Sequence, residues 1–526
     1  MALSRTLPAA ALLAALAAVA AHAEPPASDL SRLRLEPIPA ARSGLEHVIN
    51  SDPKLGEIKY AWMSSPVDID ADGHLDLIVY GHHGGGSAVW LGDGRGTFRF
   101  DDRPYPTRWV FAGRDPVWIS VAKHGVMDAI GTEGRGVGGR VFLNQGDGHW
   151  QETEYVFPGR FHVSDLDGDG QHDESFDSQS GTAQKLEPAP HDVAGAKQGK
   201  FSVRELWHAE KIVGFPEGVE RGSGPGRAAY RDAYAVDLDG DDRNELVIHL
   251  KGTKGGFTTP ELFSWVLAAK SDAPADWSDT TAERGLPTGV GHWLYPEDIN
   301  IDGSLDLVDL HTGHWYANDG RGRFRQSDSR VFDPEVRLPR RPGHPWTADN
   351  EHQWIDLDNN GRRDLVTAAD HSVNNGAFLS LGGGRFVESP DVPGGRRNRK
   401  FGDVNGDQRI DMVTFRDSRL TLHENQTPHG GIGVRLVSSV PARGHLGAKL
   451  WVYEAGRLGD AAGLIDYQQG FMNRDDNRSH NLRPVFHVGL ADRPAADVRV
   501  RFPSGVEREL RGLKAGQEVE LREVEP

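Results

Sequence analysis

The chain has 526 residues, 59 Lys and Arg against 77 Asp and Glu, a formal charge of −18, and no cysteine. It is too long for one ordinary domain, yet hydrophobic residues make up only 37% of it and glycines number 64, a composition suited to many short strands and turns. The missing cysteines exclude a disulfide framework and a lipoprotein anchor, and the lack of a basic stripe excludes nucleic acid as a partner.

In chain order, residues 1–23 read as a secretory signal, with Arg5 as the charged start, an Ala/Leu-rich stretch over 9–21, and Ala21-His22-Ala23 before the cut. The expectation is an exported protein, periplasmic or extracellular. Nothing later reaches the roughly 18 consecutive apolar residues that a transmembrane segment needs. Leu33-Arg34-Leu35-Glu36-Pro37-Ile38 then alternates like a short strand, and its proline is tolerable only at a sheet edge.

The first loop motif places Asp68, Asp70, Asp72 and Asp76 at positions 1, 3, 5 and 9, with Gly73 at position 6. Alternate residues of a tight loop turn oxygens inward and the glycine permits the turn, so the loop is a cradle for a hard cation, Ca²⁺. An apolar run, Leu77-Ile78-Val79-Tyr80, follows, so the loop joins two strands. The pattern returns as Asp165, Asp167, Asp169 and Asp173; as Asp298, Asn300, Asp302 and Asp306; and as Asp356, Asp358, Asn360 and Asp364. Two copies depart from it. Asp237, Asp239, Asp241 and Glu245 carry Asp242 at the glycine position, while Asp403, Asn405, Asp407 and Asp411 carry Gln408 there. A skeletal copy, Ser120, Ala122, His124, Gly125 and Asp128, keeps the spacing without the ligands and reads as a repeat without a metal. Up to six Ca²⁺ ions are expected, and 21 carboxylates at ligand positions account for much of the acidity.

The loop starts lie 45 to 72 residues apart, as one four-stranded blade per repeat requires. Later in several repeats comes a hairpin, such as Trp90-Leu91-Gly92-Asp93-Gly94 with Phe98, or Trp315-Tyr316-Ala317-Asn318-Asp319-Gly320 with Phe324. The predicted fold class is all-β: a seven-bladed β-propeller over 24–427, then a small β domain over 430–526, with the boundary near 426–431.

At the loops and hairpins the chain resembles the FG-GAP/VCBS repeat family, whose blades build the integrin α-subunit head. Gly447-Ala448-Lys449-Leu450, Phe486-His487-Val488-Gly489-Leu490 and Val500-Arg501-Phe502-Pro503-Ser504-Gly505 resemble the ASPIC/UnbV domain. Together, in this order, they are similar to the cartilage acidic protein family and its bacterial relatives. The resemblance implies a Ca²⁺-stabilised recognition module that binds a glycan or a protein.

In a blade, the chain leaving the second strand reaches the face opposite the Ca²⁺ loops. Polar groups recur there: His82, His83, Glu133, Lys251, His311, Asp370, His371 and Arg416. Aromatic residues entering the innermost strands include Trp62, Trp118, Tyr234, Trp293 and Trp354, so a funnel with aromatic walls is one expectation, and a plugged axis the other. A lyase or cyclase would use His82, His311 or His371 as general base, with Lys251 or Arg416 stabilising an anion. No nucleophile elbow, zincin helix, Walker loop or dinucleotide fingerprint accompanies these residues. A third reading is a structural spacer in an envelope assembly.

Overall fold

The computed structural model describes residues 33–49, 61–63, 66–81, 87–102, 117–119, 128–132, 139–145, 150–157, 161–164, 166, 174–177, 181–188, 201–216, 229–254, 259–270, 276–332, 352–367, 376–389, 392, 399–438, 446–471 and 485–524. The expected signal, the acids of loop 165–173, the skeletal copy apart from Asp128, and His82, His83, Glu133, Asp370 and His371 lie outside the described residues. So do the side chains of Trp62 and Lys251. Among the described residues, the complete helical elements are the short turns Ala40–Ser43, Ala209–Val213 and Ala461–Gly463. The protein is all-β, and no helix among these residues is long and apolar enough to cross a membrane.

Among the described residues before 426, the strands form seven four-stranded antiparallel sheets. In the first, Ala61–Met63, Leu77–Gly81, Ser87–Gly92 and Phe98–Asp101 pair in sequence order. The run 77–80 is apolar at every position because both faces are covered. Leu77 and Val79 pack with Val413, Phe415 and Leu422 of the last sheet, while Ile78 and Tyr80 pack with Trp118, Ala129 and Phe142 of the second. Strand periodicity of two sends alternate side chains to different neighbours. The same sharing joins the third sheet to the fourth, the fourth and fifth to the sixth, and the sixth to the last.

The last sheet takes three strands from one end of the chain, Arg399–Gly402, Asp411–Arg416 and Arg419–Asn425, and its outermost strand, Leu35–Pro37, from the other. Leu35 lies opposite Asn425 and Pro37 opposite His423. Ile38 N–H donates to Leu422 O at 2.8 Å, and Gln426 N–H to Arg34 O at 2.7 Å. The outer-edge pairing expected of 33–38 is therefore present, with Pro37 on the side where no further strand needs its missing N–H.

After residue 430, Gly431–Val437 pairs antiparallel with Val485–Gly489 and parallel with Glu518–Arg522. A second sheet orders Leu464–Gln469, Lys449–Glu454, Ala495–Arg501 and Glu507–Lys514. Ile432, Val434 and Phe486 of one sheet share an apolar cluster with Leu450, Val452, Val498 and Val500 of the other.

Candidate metal centres

The five described acidic loops share one backbone geometry. The carboxylate at position 1 accepts the N–H of position 6 in each: Asp68 from Gly73 (3.0 Å), Asp237 from Asp242 (2.8 Å), Asp298 from Gly303 (3.0 Å), Asp356 from Gly361 (2.8 Å) and Asp403 from Gln408 (3.0 Å). Position 6 has φ between 62° and 91°, including Asp242 at 68° and Gln408 at 62°, so the two departures from glycine adopt the left-handed turn all the same. Position 4 is left-handed as well, at Ala71, Gly240, Ile301, Asn359 and Gly406, a requirement the acidic spacing did not reveal.

The acid at position 9 is a backbone staple. Asp76 accepts from Ile69 N–H and Gly92 N–H at 2.8 Å each. Asp306, Asp364 and Asp411 repeat the pair with Ile299 and Asn318, Leu357 and Ser380, and Val404 and Asn425. Asp128 of the skeletal copy accepts from Asn144 N–H at 2.8 Å. Its retention where most other ligands are lost thus has a reason that involves no metal. Sequence reasoning also missed three asparagines that reach the loop of the preceding sheet: Asn144 Nδ2 donates to Ile69 O (2.6 Å), Asn318 to Leu238 O (2.7 Å) and Asn425 to Leu357 O (2.7 Å). Asn144 and Asn318 fall just before the Gly-containing turn of a repeat hairpin, the signal that could have found them, whereas Asn425 ends a strand that no hairpin follows.

Three of the described loops gather acidic oxygens closely enough to hold a metal ion. Asp68, Asp70 and Asp76, and likewise Asp356, Asp358 and Asp364, bring ligand oxygens within 4.8 Å of one another. Asp68 Oδ1 is buried and accepts no hydrogen bond. Burial, then neighbouring carboxylates, push Asp68 up to about 6; burial pushes Asp76, Glu245 and Asp306 up to about 8. Burial and like charge hold Asp298, Asp356, Asp364 and Asp411 well above the usual range. Buried acids that resist ionising together and present only oxygen suit a hard cation; Glu245 differs in already having Arg284 beside it. Asp72, Asn300, Asp302, Asn360, Asn405 and Asp407 lie at the more open positions 3 and 5.

The C-terminal segment lies against these loops. Gly489 N–H donates to Asp356 Oδ2 at 3.0 Å, Ala491 N–H donates to Asn359 O at 2.7 Å, and His487 Nε2 is 2.9 Å from Asn359 Oδ1. Burial lowers His487 to about 4, so the imidazole is neutral there. Asp466 is buried near both Asp298 and Asp356 and raises both. The connecting residues are tied in too: Thr427 Oγ1 donates to Asp358 O and Asn359 Nδ2 to His429 O.

The funnel aromatics are buried. Tyr234, Trp293 and Trp354 share one apolar cluster and Trp118 belongs to another. His249 stacks on Trp293 at 4.2 Å, and Phe471 of the C-terminal segment packs on Tyr234 and Tyr295. Among the catalytic candidates, Arg416 is exposed at the end of its strand, beside Asp417 of the turn that follows. His311 N–H donates to Asp309 Oδ1 at 3.0 Å. Asp309 also holds His292 Nδ1 at 2.9 Å and accepts from Thr312 Oγ1 at 2.7 Å. Burial alone would raise Asp309, but the bonds from His292, Trp293 N–H and Thr312 keep it below its ordinary value. His292 carries no repeat signature and was not singled out by sequence.

No family model matches the chain, nor does any curated protein. Among solved structures, a chain of the Photorhabdus luminescens Tc holotoxin pore is similar at 15% identity and a TM-score of 0.32, covering 66% of this chain and 18% of that one. BBS1N in complex with ARL6DN is similar at 11% identity and 0.33, over 72% of this chain and 95% of that one. The Pseudomonas aeruginosa periplasmic gluconolactonase PpgL is similar at 12% identity and 0.27, over 87% of this chain and 96% of that one.

Proposed function

We propose that the chain is an exported, Ca²⁺-stabilised recognition module: a seven-bladed propeller of the FG-GAP/VCBS kind with an ASPIC/UnbV-like C-terminal domain, binding a glycan or a protein. The ring reading is supported by consecutive sheets that share apolar clusters, by the packing of the last sheet on the first, and by the edge strand Leu35–Pro37. One observation carries the functional reading. The loop carboxylates turn onto backbone N–H groups and under the C-terminal segment, as Asp356 does with Gly361 and Gly489, so a cation there staples strands instead of meeting a substrate. The opposite ends of the strands are left for ligand. The test is retention of purified protein on a glycan array and by envelope extracts, with Ca²⁺ and after chelation. Retention that chelation abolishes is expected; no retention in either condition contradicts recognition and leaves the spacer reading.

A second reading, an active site of the lyase or cyclase type, is favoured by the His292–Asp309 pair. A buried carboxylate that fixes Nδ1 orients a partly exposed imidazole as a general base. Loss of turnover of a retained ligand in His292→Ala, with binding intact, would select it; a ligand retained without chemical change would reject it.

A further inference from the structure

The loop 237–245 differs from the other four in what meets its carboxylates. Lys449 Nζ, from the C-terminal segment, lies 2.5 Å from Asp237 Oδ2 and 2.8 Å from Asp242 Oδ1. Arg501 pairs with Asp242 Oδ2. Lys449 and Arg501 face each other on adjacent strands, so one sheet edge presents both cations to the loop. From the other side, Arg284 Nη2 lies 2.8 Å from Glu245 Oε1 and 3.2 Å from Asp239 Oδ2. Asp237, Asp239 and Glu245 bring ligand oxygens within 4.8 Å of one another, close enough for a metal, yet positions 1, 3 and 9 already carry ammonium or guanidinium partners. In the 68–76 loop the position 1 oxygen Asp68 Oδ1 is buried without a hydrogen-bond partner, as is the position 3 oxygen Asp239 Oδ1 here, so the loops differ in the cations that reach their carboxylates and not in an orphaned oxygen. The residue at position 6 explains the difference. Only here does an acid replace the glycine, at φ 68°, and its carboxylate is what Lys449 and Arg501 grip.

We propose that the 237–245 loop takes no divalent cation and is the latch that docks the C-terminal sheets, with Lys449 bridging positions 1 and 6 and Arg284 bridging positions 3 and 9 in place of a metal. This rests on the Ca²⁺ reading of the sibling loops. A buried ammonium held by two carboxylates satisfies the same like-charge problem that Ca²⁺ satisfies elsewhere, and a cation entering the loop would have to displace it. Ca²⁺ therefore competes with docking at this loop and supports the fold at the others. The chain should bind one Ca²⁺ fewer than its count of acidic loops suggests.

The test compares two exposed position 5 acids, neither of which the latch uses, so both variants fold. Bound Ca²⁺ is counted by elemental analysis after equilibrium dialysis in full-length protein, in Asp72→Ala and in Asp241→Ala. Asp72→Ala, which removes the position 5 oxygens outright, should lose one Ca²⁺ or bind it at least tenfold more weakly, while Asp241→Ala keeps the wild-type number and affinity. A loss of one Ca²⁺ in Asp241→Ala overturns the proposal. No Ca²⁺ on wild-type protein would instead overturn the metal reading on which it rests. The latch has its own arm: in excess EDTA, Lys449→Met should lower the Tm and separate melting of the C-terminal sheets from the rest. An unchanged Tm there overturns it.

Discussion

Removing residues 24–49 tests whether the last sheet depends on the other end of the chain. The segment supplies the edge strand Leu35–Pro37, the ion pair of Arg42 with Glu424 at 3.1 Å, and four nearly fully buried side chains, Leu33, Ile38, Leu45 and Ile49. At about 1.5–3 kcal/mol for each fully buried aliphatic side chain, losing their burial costs about 6–12 kcal/mol. A folded protein has about 5–15 kcal/mol of net stability, so the loss is comparable with the whole. It also bares the backbone of Arg419–Asn425, an edge open to pairing with a second chain. Size-exclusion chromatography with light scattering and a thermal melt, in saturating Ca²⁺, should find aggregate or no soluble monomer. The milder Leu45→Ala should stay soluble with a loss of about 2–5 kcal/mol. A truncated protein that remains monomeric with an unchanged Tm would refute the two-ended sheet.

Two further predictions concern the loops. Asp128→Ala leaves the Asn144 N–H without its acceptor and should cost about 1–3 kcal/mol, by the same amount in Ca²⁺ and in EDTA, whereas Asp76→Ala should cost more in Ca²⁺; denaturant melts in both buffers check this. The metal-free protein should lose stability as pH rises from 4 to 8, because Asp68 at about 6 and Asp76 and Asp306 at about 8 all titrate above their unfolded value. Their favourable contribution is complete below the unfolded pKa and gone above the folded one. Ca²⁺ reverses the trend, so the Tm increment on adding Ca²⁺ should be larger at pH 8 than at pH 5. A Tm in EDTA that is equal at both values contradicts this.

What the sequence revealed was what local chemistry writes into adjacent residues. The acidic spacing marked each loop, with the glycine at position 6 in four of the six, and the alternation with proline in 33–38 marked an edge strand. The left-handed position 4 stayed hidden because Ala71 and Ile301 bear no sign of it. The closing acid read as a metal ligand, yet its observed partners are the N–H of its own loop's position 2 and one N–H of the third strand, a duty that any buried carboxylate at that place performs. Docking of the C-terminal segment was not legible at all, since Lys449 and Asp237 meet across 212 positions and each looks ordinary in its own neighbourhood. The boundary near 426–431 reads as a breaker-rich linker, yet Thr427 and His429 are nearly buried against loops 356–364 and 403–411. The funnel aromatics follow the same lesson: large side chains at strand ends read equally well as walls or as packing, and Trp118, Tyr234, Trp293 and Trp354 are packed.

The central claim is that these loops hold cations that brace the fold, and a single calorimetric comparison addresses it. Full-length protein is stripped of metal, verified by elemental analysis, and melted before and after Ca²⁺ is restored. Binding to the folded state alone raises the melting temperature by mass action, about 2.7 kcal/mol per site at a hundredfold excess over Kd. The account predicts a clear rise in Tm that saturates with several equivalents of Ca²⁺. A Tm that is the same with and without Ca²⁺ in verified metal-free protein would contradict it.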